Sequence, residues 1–169
     1  MIKFYGTKSE FGFLSNFFHA PIQIDDVTAP TTEHFFQAMK TLVAEERLEI
    51  LAASTPRQAK RLGSKCQLRA DWEDVAGTTA LQALFRDHHG ELVTLVKDHL
   101  MFVALVAKFK QHEDLYHKLL LTGEDELVEA SPTDYYWGAG QDGSGLNKLG
   151  RMLTLIRKVS RDRHEKSHI

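Results

Sequence analysis

Glu33, Gln37 and Lys40, in the segment TTEHFFQAMK, stand at i, i+4 and i+7. That spacing lines a carboxylate, an amide and an amine along one side of a helix. Phe35, Met39 and Leu42 fall on the opposite side, which the pattern assigns to the core. A polar row of this kind is ordinarily a solvated face, and a glutamate in a first turn also complements the helix dipole. Turned into a cleft, the same row is equipment for proton transfer or, through its amine, for Schiff-base formation.

A second candidate is YYWGAGQDGSGLNKLG, residues 135–150, which holds five of the chain's 11 glycines. Gly138, Gly140 and Gly143 spell G-x-G-x-x-G. The dinucleotide fingerprint requires a βαβ unit and an acidic residue about 20 positions on. Only 26 residues follow Gly143, and they read as one helix, so that reading fails. Two readings stay open. The loop enters a helix near Ser144 to Asn147 and could offer its amides to an anion, or it is a glycine turn that joins two elements.

Trp137 and Trp72 are the only tryptophans. Each is either a stacking platform for a base or sugar, or a core residue; the glycine loop beside Trp137 favours a cleft position. No metal site is expected: His88 and His89 are adjacent and point apart, and the chain has a single cysteine. No G-x-S-x-G elbow accompanies the serines. Cys66 follows Lys65 and reads as a buried or idle thiol.

The elements that must carry these residues are short. IKFY and PIQIDD read as strands flanking an irregular EFGFLSNFF. A helix capped by Thr31 or Thr32 follows and ends or bends near Ala44, because Leu48 and Leu51 leave its apolar stripe. STPRQAKRLGSKC is a capped helix with Pro56 in the first turn and Gly63 as its stop. The stretch from Asp71 to Gly123 is helical with breaks at Gly77 and Gly90, and DELVEA is a brief strand. Leu146, Leu149, Met152, Leu153, Ile156 and Val159 form the stripe of a closing helix.

With 169 residues, 43% of them hydrophobic, the chain is expected to be a single domain spanning 1–169 with one core. A net charge of −2 argues against a broad nucleic-acid surface, although Lys60, Arg61, Lys65 and Arg69 cluster. One cysteine permits no internal disulfide. No signal-like apolar segment or membrane span is apparent, so a cytoplasmic location and no membrane partner are expected.

Taken together, GFLSNFF (12–18), PTTEHFFQAMK (30–40), LRADW (68–72), ALVAKFKQH (104–112) and YYWGAGQDGSGLNKLG resemble the NADAR, or YbiA-like, family in order and spacing. The resemblance implies an α+β fold: a compact, predominantly helical single domain with a few short strands, and no metal or cofactor. It implies an N-glycosidase that cleaves a ribosyl–nitrogen bond. Two substrate classes are associated with the family: ADP-ribose on guanine, and phosphoribosylated aminopyrimidines of riboflavin biosynthesis. The first brings ADP-ribosylated DNA and a cognate ADP-ribosyltransferase toxin as expected partners. A non-catalytic ADP-ribose-binding module would use the same cleft. Against the compact family pattern, this chain carries an added segment over about 76–96, expected to be helical, which weighs against the smaller substrate.

The resemblance carries over residue by residue. Glu33 is expected to stabilise an oxocarbenium-like cation and move a proton, and Lys40 is the alternative nucleophile at C1′. Asn16, Phe17, Gln37, Arg69, Trp72, Trp137, Gly138, Asp142 and Asn147 are expected to bind substrate, the two tryptophans by stacking on base or sugar, and Asn16 and Asn147 with the glycine-loop amides by holding hydroxyls and phosphate.

Overall fold

A computed structural model describes residues 1–75 and 95–166. They form six α-helices and four three-residue strands among the described residues, a mixed α/β fold. Two compact units result: His19–Ala107, and Met1–Phe18 together with the chain from Lys108 onward.

In the His19–Ala107 unit, β2 (Ile22–Ile24) and β3 (Val27–Ala29) pair antiparallel, with Ile22 opposite Ala29. The single strand expected over PIQIDD is thus the first arm of a hairpin. Asp25 takes a φ of +51° in its two-residue turn, a conformation aspartate tolerates better than most residues. Helix α1 (Thr32–Ala38) follows; Thr31 caps it, its Oγ1 accepting the His34 N–H at 3.2 Å. All seven residues of α1 are buried. Ile22, Ala29, Phe35, Met39, Ile50 and Ala59 belong to the core on which it packs.

α1 stops at Ala38, well short of Ala44. The Lys40 N–H bonds to the Gln37 carbonyl, a tightened last turn. Thr41 then ends the run: its Oγ1 accepts the Val43 N–H and donates to Glu46, and its carbonyl accepts from Arg47. Those bonds set the entry of a separate helix, α2 (Ala44–Leu51). Leu42, assigned to the core by spacing, is therefore exposed, because its phase belongs to a helix that has already ended. The third helix, α3 (Pro56–Gly63), is capped by Thr55, whose Oγ1 accepts the Gln58 N–H, and starts at the expected Pro56.

Helix α4 (Val96–Gln111) begins just after a bridge between Val75 and Leu95. The expected insertion over 76–96 lies outside the described residues except for Leu95 and Val96, which belong to this bridge and to α4. The breaks expected at Gly77 and Gly90 also lie outside them. A break missed in the sequence falls at His112, whose extended backbone separates α4 from α5 (Glu113–Leu121).

In the other unit, β1 (Ile2–Phe4) pairs parallel with β4 (Leu127–Glu129), in the register Ile2 to Leu127. Gly123, at φ +64°, closes the turn after α5. Helix α6 (Lys148–Lys166) buries Leu149, Met152, Leu153 and Ile156, as the stripe requires. Leu146 precedes the helix and is exposed. No helix among the described residues is long and apolar enough to cross a membrane.

Candidate active site

Glu33 and Gln37 are one helical turn apart and both buried, and Gln37 Nε2 donates to Glu33 Oε1 at 2.8 Å. The amide thus aims the carboxylate. Gly63, at the end of α3, permits the arrangement: a Cβ there would lie 2.2 Å from Gln37 Oε1. Lys40 lies one turn on, beyond the helix end. It keeps its side of the row, with Nζ 5.7 Å from the centroid of the Phe36 ring. Burial lowers its pKa from the ordinary lysine value, while the negative charge of Glu33 opposes that shift. A carboxylate, its orienting amide and an amine with depressed basicity therefore share one surface.

Phe36 joins this group to Trp72, at 5.2 Å between ring centroids. Trp72 is only 5% exposed, so it forms part of the wall behind Phe36. Arg69 is fixed from both ends. Its N–H bonds the Lys40 carbonyl at 2.8 Å, and its guanidinium grips Asp71 at 2.5 and 2.7 Å, which raises its pKa and lowers that of Asp71. Phe36 was not singled out in the sequence, where its aromatic ring reads as core.

In the other unit, the glycine loop wraps the start of α6. The N–H groups of Leu146, Asn147, Lys148 and Leu149 bond the carbonyls of Tyr135, Gly138, Tyr136 and Trp137. These donors at the start of the helix are taken by the loop itself, since a helix N-terminus must satisfy its donors somewhere. Asp134 Oδ1 accepts the N–H groups of both Tyr136 and Trp137, which sets the half-buried indole at the mouth of the turn. Gly138 is buried, and a Cβ there would meet the Asp134 and Glu129 carbonyls at 2.9 Å.

Asn147 has a φ of +48° and turns its side chain to β4: Oδ1 accepts from Glu129 N–H and Nδ2 donates to the Leu127 carbonyl. Asp142 is exposed, accepts from the N–H and Oγ of Ser144, and has its carboxyl held below the usual range by those bonds. Lys148 Nζ donates to Tyr136 Oη at 2.9 Å, a pair that the sequence reading also passed over. Beside the loop opens a cavity of about 560 Å³, lined among others by Lys3, Gly140, Gln141, Asp142, Asn147 and Arg151.

Asn16 is buried and Phe17 half-buried on the turn after the 3-10 segment Gly12–Leu14. Behind that turn stands Lys108, fully buried and absent from the expected set. A signal for it exists: Met101, Ala104, Leu105 and Lys108 recur at helical spacing, which places a lysine on the apolar stripe of α4. Among the described residues, no group of three His, Cys, Asp or Glu side chains could hold a metal ion.

A buried carboxylate held by an amide, with a half-buried amine beyond it, stands on a mixed α/β frame, and the comparisons define the class of the chain. The chain belongs to the NADAR domain family, whose profile matches residues 3–160. It is an N-glycosyl hydrolase, similar to the N-glycosidase YbiA of Escherichia coli, with 39% identity over 94% of this chain and 87% of that one. An N-glycosidase of Nostoc punctiforme is 37% identical over 95% of this chain and 93% of its own length. The NMR structure of Escherichia coli YbiA superposes with a TM-score of 0.77 at 38% identity, covering 96% of this chain and 86% of that one. A riboflavin biosynthesis protein of Vibrio vulnificus is 33% identical over 93% of this chain, which covers 38% of that protein.

Proposed function

We propose that the chain hydrolyses the C1′–N bond between ADP-ribose and a modified guanine, with Glu33 and Lys40 as the reacting groups. The observation that carries this reading is the Glu33–Gln37–Lys40 row, in which a buried carboxylate is aimed by an amide and the amine loses basicity through burial. Cleavage of a ribosyl–nitrogen bond builds positive charge at C1′, and a fixed carboxylate lowers that barrier. Water adds to C1′, its proton passes through Glu33, and the base departs carrying a proton. In the alternative route, Lys40 Nζ attacks C1′ of the ring-opened ribose, the base leaves protonated, and water releases the imine. This reading makes ADP-ribosylated DNA the macromolecular substrate, a cognate transferase the source of the modification, and the cytoplasm the setting.

A second reading, hydrolysis of phosphoribosylated aminopyrimidines, is favoured by the similarity to the Vibrio vulnificus riboflavin protein. Incubation of the purified protein with ADP-ribosylated guanosine and, in parallel, with aminopyrimidine phosphoribosides separates the two. Release of free base from the first only is expected; release from the second only gives the second reading. Binding of ADP-ribose without release of base from either would make the chain a binding module. Glu33→Gln is expected to retain binding and lose turnover by about 10²–10⁴-fold. Borohydride should trap a lysine adduct that Lys40→Ala abolishes, and turnover without any adduct would leave Glu33 as the sole reacting group.

A further inference from the structure

Lys108 is the most deeply buried cation described, and the chemistry above does not use it. Its Nζ donates to the Ser15 carbonyl at 2.9 Å, with the Phe18 and Phe109 ring centroids 5.6 and 5.4 Å away. Among the described residues no carboxylate answers its charge, and burial lowers its pKa to about 7. The nearest titratable groups along the chain are Glu10 and His19 on one side, and Lys110 on α4 and His112 just after it on the other; none bonds Nζ. An uncompensated buried charge opposes folding, and a methionine would fill the same space without that penalty.

Ser15 is a hub. Its Oγ accepts the Phe17 N–H at 3.2 Å, and its carbonyl accepts the Phe18 N–H at 3.2 Å in addition to the ammonium. These bonds define the turn that carries Asn16 and Phe17. We propose that Lys108 is a positioning residue, clamping the Ser15 carbonyl so that the Asn16–Phe17 turn is held ready for substrate. The inference rests on Asn16 and Phe17 being substrate contacts. A protonated Lys108 makes a charge-assisted bond to the carbonyl, whereas the neutral amine makes a weaker one. The clamp therefore loosens as pH rises through 7.

Two measurements test this, one of them independent of catalysis. In protein labelled at the lysine ε-carbons, the Lys108 signal is identified by its loss in Lys108→Met. It should titrate near neutrality, and the Asn16 and Phe17 amide signals should move with the same midpoint in a His19→Gln background that removes the neighbouring imidazole. Stationary Asn16 and Phe17 amides, or a Lys108 that keeps its proton throughout, overturn the proposal even if Lys108→Met does not fold. In kinetics with ADP-ribosylated guanosine, Lys108→Met should raise KM about tenfold with kcat little changed, and should abolish the rise in KM with pH seen in the wild type. A loss confined to kcat overturns it. Wild-type protein that releases no base refutes the N-glycosidase reading and leaves the amide titration to decide the role of Lys108.

Discussion

Gln37 serves its neighbour, and that service depends on a residue with no side chain at all. Its amide bonds Glu33 because Gly63 leaves room for it. In Gly63→Ala the new methyl must displace Gln37, at a cost of about 1–3 kcal/mol for overpacking, partly offset by the better helix propensity of alanine. Turnover is expected to fall more than stability implies, because Glu33 loses its orienting bond; comparison of kcat with the thermal midpoint checks this. Wild-type kcat in that variant would show that Glu33 needs no such support. The Glu33–Gln37 pair was legible in the sequence, since i, i+4 spacing fixes a neighbour relation on any helix. That Lys40 lies past the helix end was not, because Thr41 stops the run with side-chain and carbonyl bonds to Val43, Glu46 and Arg47.

Among the elements, the glycine loop with α6 departs most from its local appearance. G-x-G-x-x-G suggests backbone donors turned outward, yet the carbonyls of residues 135–138 take the first donors of the helix. Asn147 then ties this assembly to β4 from a left-handed backbone position that asparagine tolerates. Asn147→Ala removes both side-chain bonds, and about 2 kcal/mol of stability should go with them, measured by denaturant unfolding. If the loss is much smaller, Asn147 is not the tie between loop and strand, and its side chain is available to a ligand. The closing helix itself was legible from its apolar stripe, whereas the partners of its N-terminus come from the first residues of the loop, which no periodicity reveals.

For the molecule as a whole, the shifted bases act on stability in the same direction. The folded-state pKa of Lys108, about 7, lies below its ordinary 10.5, and burial also lowers those of Lys40 and His34. Between the folded and unfolded values the unfolded chain binds the additional proton, so stability rises with pH there and is lost on acidification. For His34 the loss comes as pH falls below its ordinary 6.5. Cys66, raised above its ordinary 9.0 by burial, opposes the trend only at the alkaline end. The denaturation midpoint should therefore climb from about pH 7 to about pH 9, and Lys108→Met should flatten that climb. A flat wild-type profile would mean that Lys108 is not an uncompensated buried charge. The sequence by itself determined what local spacing and residue type can determine: the Glu33–Gln37 pair, the capped starts of α1 and α3, the stripe of α6, and the family, because its motifs are contiguous. Only the tertiary structure decided which groups are spent. Arg69 on Asp71, Asn147 on β4, Trp72 behind Phe36 and Lys108 beneath Ser15 all depend on partners that packing supplies. A side chain's chemistry is fixed by its type, but its availability is fixed by what surrounds it.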